Sequence, residues 1–205
     1  MLIGAGIRGG IRYKRVNTKE MGFLNHITLD EDDSRHNVLH NALLAGKMFG
    51  FTVEDAPPLL FNLTENDKQA AAGITALLPK GKRYIGFHAG CSTLKNHIKR
   101  RWEPEKFIEL AGRLIDEKNC AVLLFGGPDE EELNKQIYAA VNSDNCMIIK
   151  TGNLAETAAV MQHCDTIVSN DSALMHVAAA MQRRVIALIG PTNTSYIHPW
   201  KTEHV

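Results

Sequence analysis

The sequence predicts an α/β protein built on a doubly wound parallel sheet, and three observations carry the prediction. From residue 84 onward, five short apolar runs alternate with four stretches of helical period. One of those runs, CAVLLFGG (120–127), is continuously apolar, as a strand must be when both faces of its sheet are covered. The runs also end in glycine or polar residues (HAG, FGG, SND, LIG), at the strand ends where open α/β sheets place their sites. Strand and helix in strict alternation impose right-handed crossovers and parallel pairing.

The elements follow in order. IRYKRV and FLNHITL read as two strands, and HNVLHNALLAGKMFGF (36–51) as an amphipathic helix stopped near Gly50. EDAPPLLFNLTENDKQ is an extended linker marked by Pro57 and Pro58, and a helix after Asn66 leads into the turn PKGKRY. YIGFHAG (84–90) is the first clear strand. The helix at 103–118 sets Phe107, Leu110, Ala111, Leu114 and Ile115 at helical spacing, with Pro104 in its first turn. Strand 120–127 is followed by a helix over 129–141 that opens with acids, which suit a helix N-terminus. Strand 146–150, a helix over 154–164, strand 166–170, a helix after Asp171 and strand 184–190 complete the series. Residues 1–83 lack the strand count for a domain of their own. The expected organisation is therefore a partial α/β domain and linker at 1–83, then a complete Rossmann-like domain at 84–205.

Composition excludes several classes. The 205 residues carry a formal net charge of zero, so no global field favours nucleic acid or an acidic membrane. An aromatic content of 6% argues against a base-stacking RNA reader. Cys91, Cys120, Cys146 and Cys164 show no metal or disulfide spacing and read as small buried hydrophobes in a reducing compartment. No run approaches the ~18 apolar residues of a membrane span, and MLIGAGIRGGIRYKR is too rich in Gly and Arg for a signal peptide. The expectation is a soluble, cytoplasmic protein. GAGIRG (4–9) matches a dinucleotide fingerprint, but the context lacks its preceding strand and following helix, so it reads as a chance match.

The chemistry is expected at four strand ends. After the first comes HAGCSTLKNHIKRRW, where Ser92 and the bases Lys99, Arg100 and Arg101 suit phosphate oxygens or simply form a solvated basic loop. After the second, Asp129 of GGPDEE is placed to accept ribose hydroxyls or to cap a helix. The third end, TGN, reads equally well as a turn. After the fourth comes VSNDSALMHVAAA (168–180), where Asn170, Asp171, Ser172 and His176 crowd a strand–helix junction. Helix capping needs one such oxygen and leaves His176 unexplained. A helix N-terminus, a basic loop and an acid on neighbouring strands together describe a site for a nucleotide diphosphate.

HAGCS…KRRWEPEKFIELAGRL, VLLFGGPDEEE and TIVSNDSALMHVAAAMQRRVIALIGPTN resemble the C-terminal domain of glycosyltransferase family 9, the lipopolysaccharide heptosyltransferases. The resemblance covers roughly 84–200, with 10–83 similar to the end of the family's N-terminal domain. It implies a GT-B fold and inverting transfer of heptose from ADP-heptose to the lipopolysaccharide inner core, with no metal and no cofactor. It also implies peripheral contact with the inner face of the inner membrane. By the same resemblance Ser92, Lys99 and Arg100 contact the diphosphate and Asp129 the adenosine ribose. Asp171 holds the sugar or diphosphate region, Ser172 and Ala173 supply amides, and His176 supports the diphosphate. The general base is expected in an N-terminal region outside this sequence, so no catalytic residue is assigned and the chain reads as a truncated product. Ala89, Ala173 and Glu103 depart from the family pattern, and Ala173 adds a methyl group where backbone approaches phosphate. The alternative is a non-catalytic nucleotide-diphosphate-binding module or degenerate paralogue.

Overall fold

The computed structural model describes residues 6–13, 21–91 and 101–205. These pack as two compact units. The smaller runs to Pro57 and takes in Asn193–His198; the larger comprises Pro58–Thr192 and Pro199–Val205.

In the smaller unit, β1 (Gly9–Arg12) and β2 (Ile27–Asp30) pair in parallel. Helix α1 (Asn37–Phe49) is capped by His36, whose Nδ1 accepts the Val38 amide, and it closes at Gly50 with φ 75°. Gly9 lies against the Met48 side chain, where a Cβ would not fit. The expected strand at 11–16 in fact begins at Gly9, and its residues 14–16 lie outside the described residues. Gly9 is also the last glycine of GAGIRG; it opens a strand rather than a helix, as a chance match would. The expected strand at 23–29 starts only at Ile27. Before it, a 3-10 turn over Gly22–Leu24 returns the Leu24 and Asn25 amides to the Met21 and Gly22 carbonyls. A short helix, Thr194–Ile197, belongs to this unit; Asn193 caps it and donates to the Asp33 carbonyl at 2.7 Å.

The larger unit opens with α2 (Glu65–Thr75), started by a Thr64–Asp67 capping box. Then come β3 (Arg83–His88), α3 (Pro104–Lys118), β4 (Cys120–Leu124), α4 (Glu131–Val141) and β5 (Cys146–Ile148). After these come α5 (Leu154–Met161), β6 (Thr166–Asn170), α6 (Ala173–Ala180) and β7 (Arg184–Leu188). The five strands are all parallel, in the order β5-β4-β3-β6-β7, so the doubly wound sheet expected from the sequence is present. On one face Leu123, Phe125, Ile167 and Val185 pack with residues of α2, α5 and α6. On the other Ile85, Phe87, Val122, Leu124 and Val168 meet Phe107, Ala111 and Ile137. Consecutive β4 residues are therefore buried on opposite faces, which is why that strand reads as a continuous apolar run.

Packing divides the chain at Pro57, whereas the sequence placed the division at residue 83. The reason is α2: Ala71 and the following Leu78 are buried in the same core as Ala158, Val160 and Met161. The four cysteines are buried and form no disulfide with one another. Burial pushes the Cys146 thiol up to about 11 and the Cys164 thiol up to about 12, so both act as small hydrophobes.

Candidate functional site

The strand order reverses between β3 and β6, so the chain leaves these neighbours toward opposite faces and a crevice forms beyond their carboxyl ends. His88, the last residue of β3, is only 3% exposed. Its Nδ1 meets the Ser172 hydroxyl at 2.9 Å, and that hydroxyl lies 3.2 Å from Ser169 Oγ. Burial, assisted by the positive charge of Arg101, holds the imidazole down to about 4. The ring is therefore neutral at pH 7. Its Nε2 stands 3.8 Å from Glu130 Oε1, and with a neutral ring this is a polar contact and not an ion pair.

Glu130 reaches the crevice from the β4 side. A 3-10 turn over Pro128–Glu130 separates β4 from α4, and Glu130 Oε2 accepts the Gly127 amide at 2.7 Å. The side chain fills the space that a Cβ on Gly90 would need, so the absence of a side chain at Gly90 admits the carboxylate. Asp129, the residue expected here from the sequence, is exposed in the same turn.

Asn170 and Ser172 bond to the exit of β3, and Asp171 bonds beyond β7. Asn170 is fully buried; its Nδ2 donates to the Ala89 carbonyl at 2.7 Å and its Oδ1 accepts the Trp102 amide at 2.9 Å. Asp171 is buried, and its Oδ2 accepts the Thr192 hydroxyl at 2.8 Å, beyond β7. Ser172 stands at the N-cap of α6, but its side chain makes no capping bond. Capping thus fails to explain that serine. Ala173 is exposed at the first position of α6 and His176 is half-buried one turn on. Arg101 donates to the Cys91 carbonyl at 2.7 Å, while its buried Nε has no partner among the described residues. Ser92, Lys99 and Arg100 lie outside the described residues. Of the site residues expected from the sequence, Asp171, Ser172, Ala173 and His176 lie at one junction, and Asp129 is exposed at the turn after β4. The structure adds Glu130, Asn170 and Thr192. Asn170 carried a signal as a polar residue closing an apolar strand, whereas Glu130 and Thr192 lie in the quoted GGPDEEE and GPTN stretches without being singled out.

A parallel sheet of this order, with a polar crevice at its reversal and a helix N-terminus facing it, places the larger unit among Rossmann-like α/β domains. The chain itself belongs to glycosyltransferase family 9 (heptosyltransferase), whose model matches residues 1–205. It is 31% identical over 204 residues to lipopolysaccharide heptosyltransferase 2 of Escherichia coli K12, covering 95% of this chain and 55% of that protein. Lipooligosaccharide heptosyltransferase 2 of Haemophilus influenzae is 36% identical over 158 residues, 71% of this chain and 44% of that one. Among solved structures, E. coli ADP-heptose lps heptosyltransferase II gives a TM-score of 0.74 at 27% identity, covering 98% of this chain and 62% of that one. A glycosyl transferase of family 9 from Veillonella parvula shares the fold, with a TM-score of 0.75 at 22% identity, covering 91% of this chain and 54% of that one. The chain spans about half the length of the curated relatives it matches.

Proposed function

We propose that this chain is the donor-binding part of a glycosyltransferase that moves a heptose from ADP-heptose to the lipopolysaccharide inner core. The observation that carries the proposal is the crevice at the sheet reversal, where the start of α6 faces the neutral His88 and the carboxylate of Glu130. In this reading the amides of Ser172 and Ala173 and the positive end of α6 receive the diphosphate. His176 supports the diphosphate, Asp171 is steadied by Thr192 beside it, and Ser92, Lys99 and Arg100 contribute from the segment after β3. Glu130 replaces Asp129 as the ribose acceptor, because it is the acid that faces inward. Transfer with inversion leaves ADP as the departing group, and these donors stabilise the negative charge that grows on its diphosphate. The proposal uses no metal and no cofactor.

Glu130 and Asp171 accept the Gly127 amide and the Thr192 hydroxyl, and we assign both carboxylates to the donor. We therefore assign the base to a residue outside this set. The same engagement favours a second reading, a nucleotide-diphosphate-binding module with no transfer activity of its own. We place the reaction at the cytoplasmic face of the inner membrane with peripheral contact; among the described residues no helix is long and apolar enough to cross a membrane. Titration calorimetry tests the shared core of both readings. ADP should bind at least about tenfold tighter than adenosine if charge-assisted contacts hold the diphosphate, and equal affinities would overturn it. Release of ADP from ADP-heptose in the presence of an inner-core acceptor then separates transferase from binding module.

A further inference from the structure

Two helices of the larger unit start from the same backbone geometry, and their N-cap side chains behave differently. Asn153 precedes α5 with φ −159° and ψ 173°, and its side-chain oxygen accepts the Glu156 amide at 2.9 Å. Ser172 precedes α6 with φ −154° and ψ 169°, yet its Oγ accepts no amide of that helix. Serine ranks with asparagine as a capping residue. Neither backbone nor residue type therefore explains the difference. What sets Ser172 apart is a competing partner: His88 Nδ1 lies 2.9 Å from its Oγ, at the end of β3, which neighbours β6.

The hydrogens fix the direction of that bond. Ser169 spends its hydroxyl hydrogen on the Asn170 carbonyl at 2.8 Å, so toward Ser172 Oγ, 3.2 Å away, it offers only lone pairs. The neutral His88 ring carries one hydrogen, and the Glu130 carboxylate 3.8 Å from Nε2 attracts it to that nitrogen. Nδ1 is then an acceptor, and Ser172 donates to it. We infer that His88 is a positioning residue for the donor's diphosphate: by accepting the Ser172 hydroxyl hydrogen it holds Oγ away from the first turn of α6, which keeps the leading amides of that helix for phosphate oxygens. The role rests on the ADP reading above. A serine released from His88 would turn onto those amides as an ordinary cap, and an incoming diphosphate would have to displace it.

The test is titration calorimetry of the 205-residue chain with ADP and with adenosine, read as the ratio of the two affinities. The ratio isolates the diphosphate, because a disturbance of Glu130 or of the fold weakens both ligands. In His88→Leu the ratio should fall about fivefold, the weight of one cap bond. His88→Asn, whose carboxamide oxygen replaces Nδ1 as the acceptor, should restore most of it. In a Ser172→Ala background, His88→Leu should leave the ratio where Ser172→Ala alone puts it, since no oxygen remains to swing. A ratio unmoved by His88→Leu, or one that falls equally in both backgrounds, overturns the inference. Nitrogen NMR of the unaltered protein decides even if the variants do not fold: Nδ1 should be the bare, accepting nitrogen and Nε2 the protonated one, and the opposite tautomer overturns the inference. Those results leave the ADP reading standing, whereas equal affinities for ADP and adenosine in the unaltered protein overturn both.

Discussion

Asn170→Ala should release two backbone groups, the Ala89 carbonyl just past β3 and the Trp102 amide just ahead of α3. The Asn170 carboxamide is fully buried and holds the Ala89 carbonyl at 2.7 Å and the Trp102 amide at 2.9 Å, so it ties these two backbone groups together. Each bond contributes little net, but alanine leaves its partners behind. Ala89 is 2% exposed, and stranding its carbonyl costs ~1–3 kcal/mol; the half-buried Trp102 amide adds less. With the small void left by the amide, the loss should total about 2–4 kcal/mol. The two tryptophans, Trp102 and Trp200, both lie in the larger unit, so fluorescence reports its unfolding. At a urea slope of about 2 kcal/mol per molar, the midpoint should fall by about 1–2 M with the slope unchanged. Asn170→Asp keeps an acceptor for Trp102 but turns a second oxygen on the Ala89 carbonyl and buries a charge. It should be worse than alanine at neutral pH and recover on acidification, when the protonated carboxyl can donate. A loss below about 0.5 kcal/mol in the alanine variant would show that the two bonds are dispensable, and the reasoning would be wrong.

Two further changes probe the crevice. Burial lowers His88 to about 4 from an unfolded value near 6.5, so the unfolded chain takes up the extra proton between those values. Its stabilising effect is complete above about pH 6.5 and is lost toward pH 4, about 3 kcal/mol at most; urea midpoints in His88→Gln should change less with pH there, and a slope equal to the parent's would refute the neutral assignment. Gly90→Ala places a Cβ against Glu130 Cγ and 2.6 Å from Oε1, so the whole Glu130 side chain must shift, at a cost of about 1–3 kcal/mol, while ADP affinity falls severalfold. Unchanged ADP affinity would remove Glu130 from the site.

The sheet was legible because a parallel strand with both faces covered must be apolar throughout, and β4 has every residue buried. The helices were legible from their period, as in α3 with Phe107 and Ala111 buried. Partnership was harder to read. The pattern of α2 marks a helix, but nothing local says that Ala71 packs with α5, so the unit boundary was misplaced. In the same way DEEE offers four acids to the crevice, and the choice depends on the 3-10 turn. That turn exposes Asp129 and leaves Glu130 facing Gly90 and Gly127, a rotation that no count of acids encodes.

The crowding at 170–172 has a physical cause that lies between these cases. A cap requires a single oxygen, yet three polar side chains occur in a row, and their partners lie up to 84 residues away in sequence. Strand β6 sits between β3 and β7. Asn170 and Ser172, two residues apart, both bond to the exit of β3, at Ala89 and His88, while Asp171 bonds to Thr192 beyond β7. The backbone at Ser172 is extended, with φ −154° and ψ 169°, so neighbouring side chains point in opposite directions and serve opposite neighbours. The polar triplet is therefore the joint that holds the strand exits on both sides of β6 in place around the start of α6. A binding crevice at a sheet reversal depends on that arrangement, because the loops that line it leave the sheet in opposite directions.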